Sequence, residues 1–354
     1  MFTLTIERQQ LFDAANIYPF GEKIDKDSEL SYYVHLNEYM HVLHEKFQQA
    51  VLTHTLFQEK KLMIDFEKWC TETIDAISTL DNAVYDKREA ITARFSDSGR
   101  AILSQSLHDG KIIFAAQHGT DYVLLLDMSG GFTVQSIIRL TFENAVVSGE
   151  LEGYYVYDEL IEADGRFGLR VLSSFGSPYV QWTIWFDDVK AQYVYRPAVY
   201  VEPGDVDTWE DFVEALNKDD CYYVVLKDAL IEVTLSSFRH TEEGIFAGDL
   251  FLGKNFDAAR ERIYCGTHED PYAHFSEPLA VESLFEAAFG DNQTLKVRAF
   301  NTIFALGEEV AHIVNNILRK AEFNEEEMYF NILASHFEQL HCLTEDNRVK
   351  WLNH

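Results

Sequence analysis

Apolar positions in the first 95 or so residues recur at helical spacing. In "LSYYVHLNEYMHVLHEKFQQAVL", Leu36, Tyr39, Met40, Leu43, Phe47, Ala50 and Val51 keep that period, which predicts one amphipathic helix. Asp27 or Ser28 is the expected cap, since either side chain can accept from the free amides of a first turn. A second helix is predicted over Asp65 to Leu80, and a third, more polar one from Lys87 to Phe95.

The pattern changes after Gly110. "KIIFAA", "YVLLLD", "QSIIRLTFENAVV", "YYVYDEL", "FGLRVLS" and "YVQWTIWFDDV" are short β-rich runs broken by Gly, Asp and Ser. Val180, Trp182, Ile184 and Phe186 alternate with Gln181, Thr183 and Trp185, so one face of that strand is expected in the core. Successive strands with short connections predict an antiparallel sheet. "RPAVYVEPGDVDTWEDF", with Pro197, Pro203 and an acidic cluster, is the expected boundary between a domain over 1–198 and one over 205–354. Beyond it a short helix, then "YYVVLK", "LIEVTLSSF" and "GIFAGDLFL", then a helical tail complete the reading. The fold class is α+β: a helical N-terminal part, a central antiparallel sheet, and a second α+β part ending in helices.

In "YVLLLDMSGGFT", Asp127, Gly130 and Gly131 stand between two strand patterns. Glycine there is expected to supply a positive φ, and aspartate to bond nearby amides, so the stretch predicts a hairpin turn. No phosphate-binding glycine pattern and no following helix accompany it.

"LHDGKI" (Leu107 to Ile112), "LLLDMSGGFT" (Leu124 to Thr133), "FENAVV" (Phe142 to Val147) and "LEGYYVYDEL" (Leu151 to Leu160) occur in this order. The series resembles an uncharacterised domain family of soluble, mostly Gram-positive bacterial proteins, over roughly residues 20–195. Its members carry LHD, D-x-SGGFT, F-x-NA and an aromatic-Tyr-acidic segment after a helical start. Where that family usually holds tryptophan, this chain has Tyr154 and Tyr155, followed by Asp158 and Glu159. The resemblance implies a shared fold and a bacterial cytoplasm; it implies no mechanism, and no counterpart of the C-terminal half.

The composition sharpens the picture. Of 354 residues, 59 are acidic and 29 basic, for a net charge of −30, while 47% are apolar. Such a chain can build cores, repels nucleic acid and anionic lipid, and attracts basic partners. No signal peptide and no membrane-spanning run is visible. Cys70, Cys221, Cys265 and Cys342 make no CxxC pair and no secreted framework, which points to the cytoplasm.

Two groups of residues are candidates for function. Tyr154, Tyr155, Tyr157, Asp158, Glu159 and Trp185 mix aromatic anchors with carboxylates, a set suited to a basic protein partner. Cys265, His268, Asp270 and His274 fall within "CGTHEDPYAHF", in an expected loop, and offer zinc-type ligands or a Cys–His pair for hydrolysis. Glu38/His41, Glu309/His312 and Glu338/His341 lie off the apolar stripes and read as solvated faces, not as a di-iron set. His108 and Asp109 are expected to anchor a turn. The leading expectation is a cytoplasmic, immunity- or antitoxin-like protein that neutralises a basic partner, without a cofactor and leaning away from catalysis. The alternatives are a zinc-dependent or Cys/His hydrolase and a nucleic acid mimic.

Overall fold

A computed structural model describes the chain except residues 1, 2, 4, 18–25, 150, 176–178, 198–205, 217–219, 227–228, 323–327 and 353–354. The fold class is the expected one: helices first, a large antiparallel sheet in the middle, helices last.

The N-terminal helices are α1 (Ile6–Ala15), α2 (Lys26–Glu38), α3 (Glu45–Leu52), α4 (Lys60–Thr92) and α5 (Asp97–Leu103). Two expectations change here. The helix expected across Leu36 to Val51 breaks between Glu38 and Glu45, where His44 is extended and its ring nitrogen accepts from the Lys46 amide at 3.3 Å, capping α3. Asp27 and Ser28 lie inside α2, so neither is its cap. The two helices expected between residues 65 and 95 are one, α4, because the sequence from Lys60 to Thr92 contains neither glycine nor proline to stop it. Leu36, Phe47, Val51, Leu56 and Phe66 close a core among these helices.

Strands β1 (Lys111–His118), β2 (Asp121–Asp127), β3 (Gln135–Phe142), β4 (Val146–Ser148), β5 (Tyr154–Ala163), β6 (Arg166–Ser174), β7 (Tyr179–Phe186) and β8 (Val189–Tyr195) form one antiparallel sheet. Its order is β4-β7-β6-β5-β1-β2-β3-β8. Strands β1 and β5 share a single register pair, Lys111 with Tyr154. Around that narrow seam the sheet curls onto itself. Tyr122 of β2 meets Trp182 of β7 at 6.3 Å, and Phe142 of β3 meets Phe186 of β7 edge-on at 5.0 Å. The core therefore lies between the two halves of one sheet, with α5 packed on it through Ile102 and Leu103. As the alternation predicts, Trp182, Ile184 and Phe186 are buried and Gln181, Thr183 and Trp185 are only partly so.

Next come α6 (Trp209–Ala215), β9 (Cys221–Leu226), β10 (Ala229–Val233), β11 (Phe238–Thr241), β12 (Gly244–Ala247), β13 (Leu250–Gly253), α7 (Phe256–Arg260) and β14 (Ile263–Gly266). They make two three-stranded sheets, β10-β9-β14 and β11-β12-β13. One face of β9 joins Trp209, Ile245 and Leu252 in a small core. The other face, through Tyr223, packs on Ile137 and Val194 of the large sheet.

By its contacts the chain divides into two units, Met1–Glu269 and Asp270–His354. The boundary expected at 198–205 lies outside the described residues. The second unit holds α8 (Leu284–Phe289), α9 (Gln293–Leu306), α10 (Ala311–Lys320), α11 (Met328–Gln339) and α12 (Glu345–Leu352). Gly307, with φ +52°, ends α9. Asn315 ties this unit together, accepting from Thr344 N at 2.8 Å and donating to the Cys342 carbonyl at 2.9 Å. Among the described residues no helix is long and apolar enough to cross a membrane.

Candidate functional site

A hollow of about 260 Å³ opens between α4 and β5. Asp81, Tyr85 and Arg88 reach it from one side of α4, at the spacing that puts residues on one helix face. Tyr155, Tyr157 and Asp158 reach it from β5, and His108 from the turn before β1. The register of β5 against β6 slips between Tyr155 and Tyr157. That bulge breaks the two-residue alternation, and both tyrosines and Asp158 border the same space.

The floor is an ion pair. Arg88 donates to Asp158, both nearly buried, and a second guanidinium nitrogen donates to the Leu103 carbonyl at 2.9 Å. Burial, the largest single influence, pulls the Arg88 guanidinium toward neutrality, but Asp158, Tyr155 and Tyr85 together outweigh it and leave its pKa raised. The Tyr155 hydroxyl is buried, and its pKa is pushed well up, by burial first and then by Asp158. At the wall, Tyr157 donates to Asp81 at 2.7 Å. Burial raises the Asp81 carboxyl above its ordinary value, although that hydrogen bond opposes the shift.

Three of the four sequence motifs meet at this hollow. Asp109 takes φ +64°, so the turn "LHDG" is not extended at that point. Its amide donates to the Tyr155 carbonyl at 2.8 Å, and the Tyr155 amide donates to the Gly110 carbonyl at 2.8 Å. The ring of His108 stacks on Phe132 of "DMSGGFT" at 5.7 Å. That stretch is a hairpin connection between β2 and β3. Asp127 accepts from the Ser129 amide and hydroxyl, as expected of a turn aspartate. Its glycines differ from expectation, since neither has a positive φ. Gly131 sits instead at a close approach: a Cβ there would lie 2.7 Å from Met128 Cε, the end of a flexible side chain, and 3.1 Å from the His108 carbonyl. Arg196 clamps the connection, donating to the carbonyls of Met128, Gly131 and Thr133 at 2.7, 3.2 and 3.2 Å.

The fourth motif lies elsewhere. In "FENA", Asn144 has φ +50° and donates to Asp187 at 2.9 Å, while its amide donates to Asp121 at 3.1 Å. Glu143 and the 187–188 turn exchange backbone bonds at 2.8 and 3.0 Å. These contacts lock two turns of the sheet to each other.

Residues 27–186 match the family described as protein of unknown function (DUF4085). The match spans less than half of the 354 residues and includes every residue that lines the hollow. No curated protein and no solved structure matches the chain.

Within residues 27–186 the six residues expected to bind a partner separate. Tyr155, Tyr157 and Asp158 line the hollow. Tyr154 is exposed at the seam strand, and Glu159 is buried, its carboxylate taking the Thr3 amide at 2.5 Å. Trp185 lies against Gly168, close enough that a Cβ there would meet its ring at 2.7 Å. Sequence reasoning missed Asp81 and Arg88, polar residues on a helix whose buried face only the fold reveals.

Outside the matched residues, Cys265 and His268 belong to the first unit, Asp270 and His274 to the second. The Cys265 thiol contacts Asp220 at 3.5 Å, and burial, then Asp220, raises its pKa. Asp270 accepts from the Tyr272 amide at 2.8 Å, and the His274 ring rests on Phe275 at 4.0 Å. The ligand atoms that converge on His268 come instead from Cys221 and Glu232, all within 4.8 Å of one another.

Proposed function

We propose that this is a cytoplasmic binding protein, immunity- or antitoxin-like in role, that takes a lysine or arginine side chain of a basic partner protein into the α4/β5 hollow. One observation carries the reading: Asp81, a half-buried carboxylate with a raised pKa, faces a space walled by Tyr85, Tyr155 and Tyr157. A cation placed there gains the carboxylate and the aromatic faces together. Because Arg88 and Asp158 offset each other, Asp81 leaves the hollow net negative. The charge of −30 adds long-range attraction, which speeds encounter with a cationic partner and is screened by salt.

The test is titration of the full-length protein with a fluorescent nona-arginine peptide, followed by anisotropy, at low and at physiological salt. Binding should weaken steeply with salt, and Asp81→Asn should weaken it at least about tenfold. Salt-insensitive binding, or an Asp81→Asn protein that binds as well as the parent, would count against the proposal. N-acetyl-lysine amide that binds as tightly as the peptide would replace a protein partner with a small cation.

A further inference from the structure

We propose that Cys221, Glu232 and His268 form a binding site for one divalent zinc-class ion. It is separate from the α4/β5 hollow and does not rest on the function proposed for it.

The three side chains come from distant points in the chain and are brought together by the β10-β9-β14 sheet. Gly266 pairs with Cys221 across β14 and β9, and His268 follows two residues later. Glu232 pairs with Tyr223 across β10 and β9. Side chains two apart on a strand share a face, so Cys221 and Tyr223 point the same way, with Glu232 beside them. The burial pattern agrees: Cys221, Tyr223, Val225 and Leu230 cluster on the face toward the large sheet. Cys265 pairs with Tyr222 and belongs to the opposite face, with the small core. This is why His268 is joined by Cys221 and not by the cysteine three residues before it.

The donors suit the ion. One thiol, one imidazole and one carboxylate lie within 4.8 Å of one another, and His268 Nε2 is 3.6 Å from Glu232 Oε2. Sulfur with nitrogen selects zinc-like ions over magnesium or calcium, which prefer oxygen alone. Zinc bonds of about 2.0–2.3 Å require the donors to close in slightly. Glu232 and His268 are exposed, while Cys221 is held on its strand. A second layer is already in place, since the Tyr223 hydroxyl donates to Glu232 Oε2 at 3.1 Å and its ring meets His268 edge-on at 6.4 Å. Three protein donors leave the fourth tetrahedral position to water. Cys221 binds as thiolate, so its proton passes to solvent as the ion enters.

Cobalt(II) titration of the full-length protein, read by absorbance, tests the site. The expected result is saturation at one equivalent, with a thiolate-to-cobalt band in the near ultraviolet and displacement by zinc. Cys221→Ser should abolish the band, and Cys265→Ser should leave it intact. Glu232→Gln and His268→Ala, both at exposed positions, should weaken binding even if the cysteine variant fails to fold. Tyr223→Phe should weaken it by about tenfold. Weak binding of several ions without a thiolate band overturns the proposal. So does a band that survives Cys221→Ser or disappears with Cys265→Ser.

Discussion

Arg88 of α4 and Asp158 of β5, 70 residues apart in sequence, form an ion pair that is almost wholly shielded from water. The pair joins the long helix to the strand at the seam of the sheet. Removing one member strands the other charge in the interior. Arg88→Met or Asp158→Leu alone should therefore cost about 3–5 kcal/mol of stability, measured by urea unfolding. The double variant should recover much of that loss, because two apolar side chains leave no charge unpaired. If the single variants unfold like the parent, the pair is not buried in solution.

Asp81 gives the protein a pH signature of definite sign. Its carboxyl is raised above the ordinary 3.8, chiefly by burial. The folded state then holds its proton more tightly than the unfolded chain. This contribution lowers stability as pH rises from near 3.8 through the raised value, the reverse of a salt-bridged carboxylate. Asp81→Asn should abolish that local trend and raise the melting temperature at neutral pH. An unchanged melting profile for Asp81→Asn across this window would refute the assignment.

Gly99 lies where α5 approaches β8, and a Cβ there would fall 2.1 Å from the Val189 carbonyl oxygen. The closest atoms belong to the Val189 carbonyl, which cannot swing aside as a flexible side chain would. Gly99→Ala should destabilise the protein by about 1–3 kcal/mol despite alanine's better helix propensity. Chemical denaturation of the two proteins decides the sign.

The cysteines should differ in reactivity. Cys70 is fully buried, and burial, aided by Glu67, pushes its thiol up to about 12. At pH 8 almost none of it is thiolate, and none is accessible. Native labelling with iodoacetamide, read by peptide mass spectrometry, should leave Cys70 unmodified after Cys221 and Cys342 have reacted. Early labelling of Cys70 would show that the α1–α4 core opens readily.

Much of the frame was legible from periodicity. Trp182, Ile184 and Phe186 announce a strand with one buried face, and they form part of the main core. The turn at Asp127 was legible through its side-chain chemistry. What escaped depends on contacts distant in sequence. Nothing near Arg88 signals burial, because its partner Asp158 lies on a strand whose bulge is set by pairing with β6. Cys221 and His268 are 47 positions apart, and only the register of β14 on β9 makes them neighbours. Proximity in "CGTHEDPYAHF" pointed to Cys265, whereas strand alternation turns that residue to the other face. Gly131 was expected to serve backbone conformation, yet it serves the packing of one turn on another.

The seam between β1 and β5 depends on few backbone bonds: Asp109 N to Tyr155 O, Tyr155 N to Gly110 O, and Ile112 N to Gly153 O, each 2.8 Å. The hollow is lined from both sides of this seam, by His108 before β1 and by Tyr155 to Asp158 on β5. An occupant would act as a rivet across the weakest line of the sheet. Its arrival would be felt as slower amide exchange at Asp109, Ile112 and Tyr155, so that recognition at one surface hollow sets how tightly two halves of a folded sheet hold together.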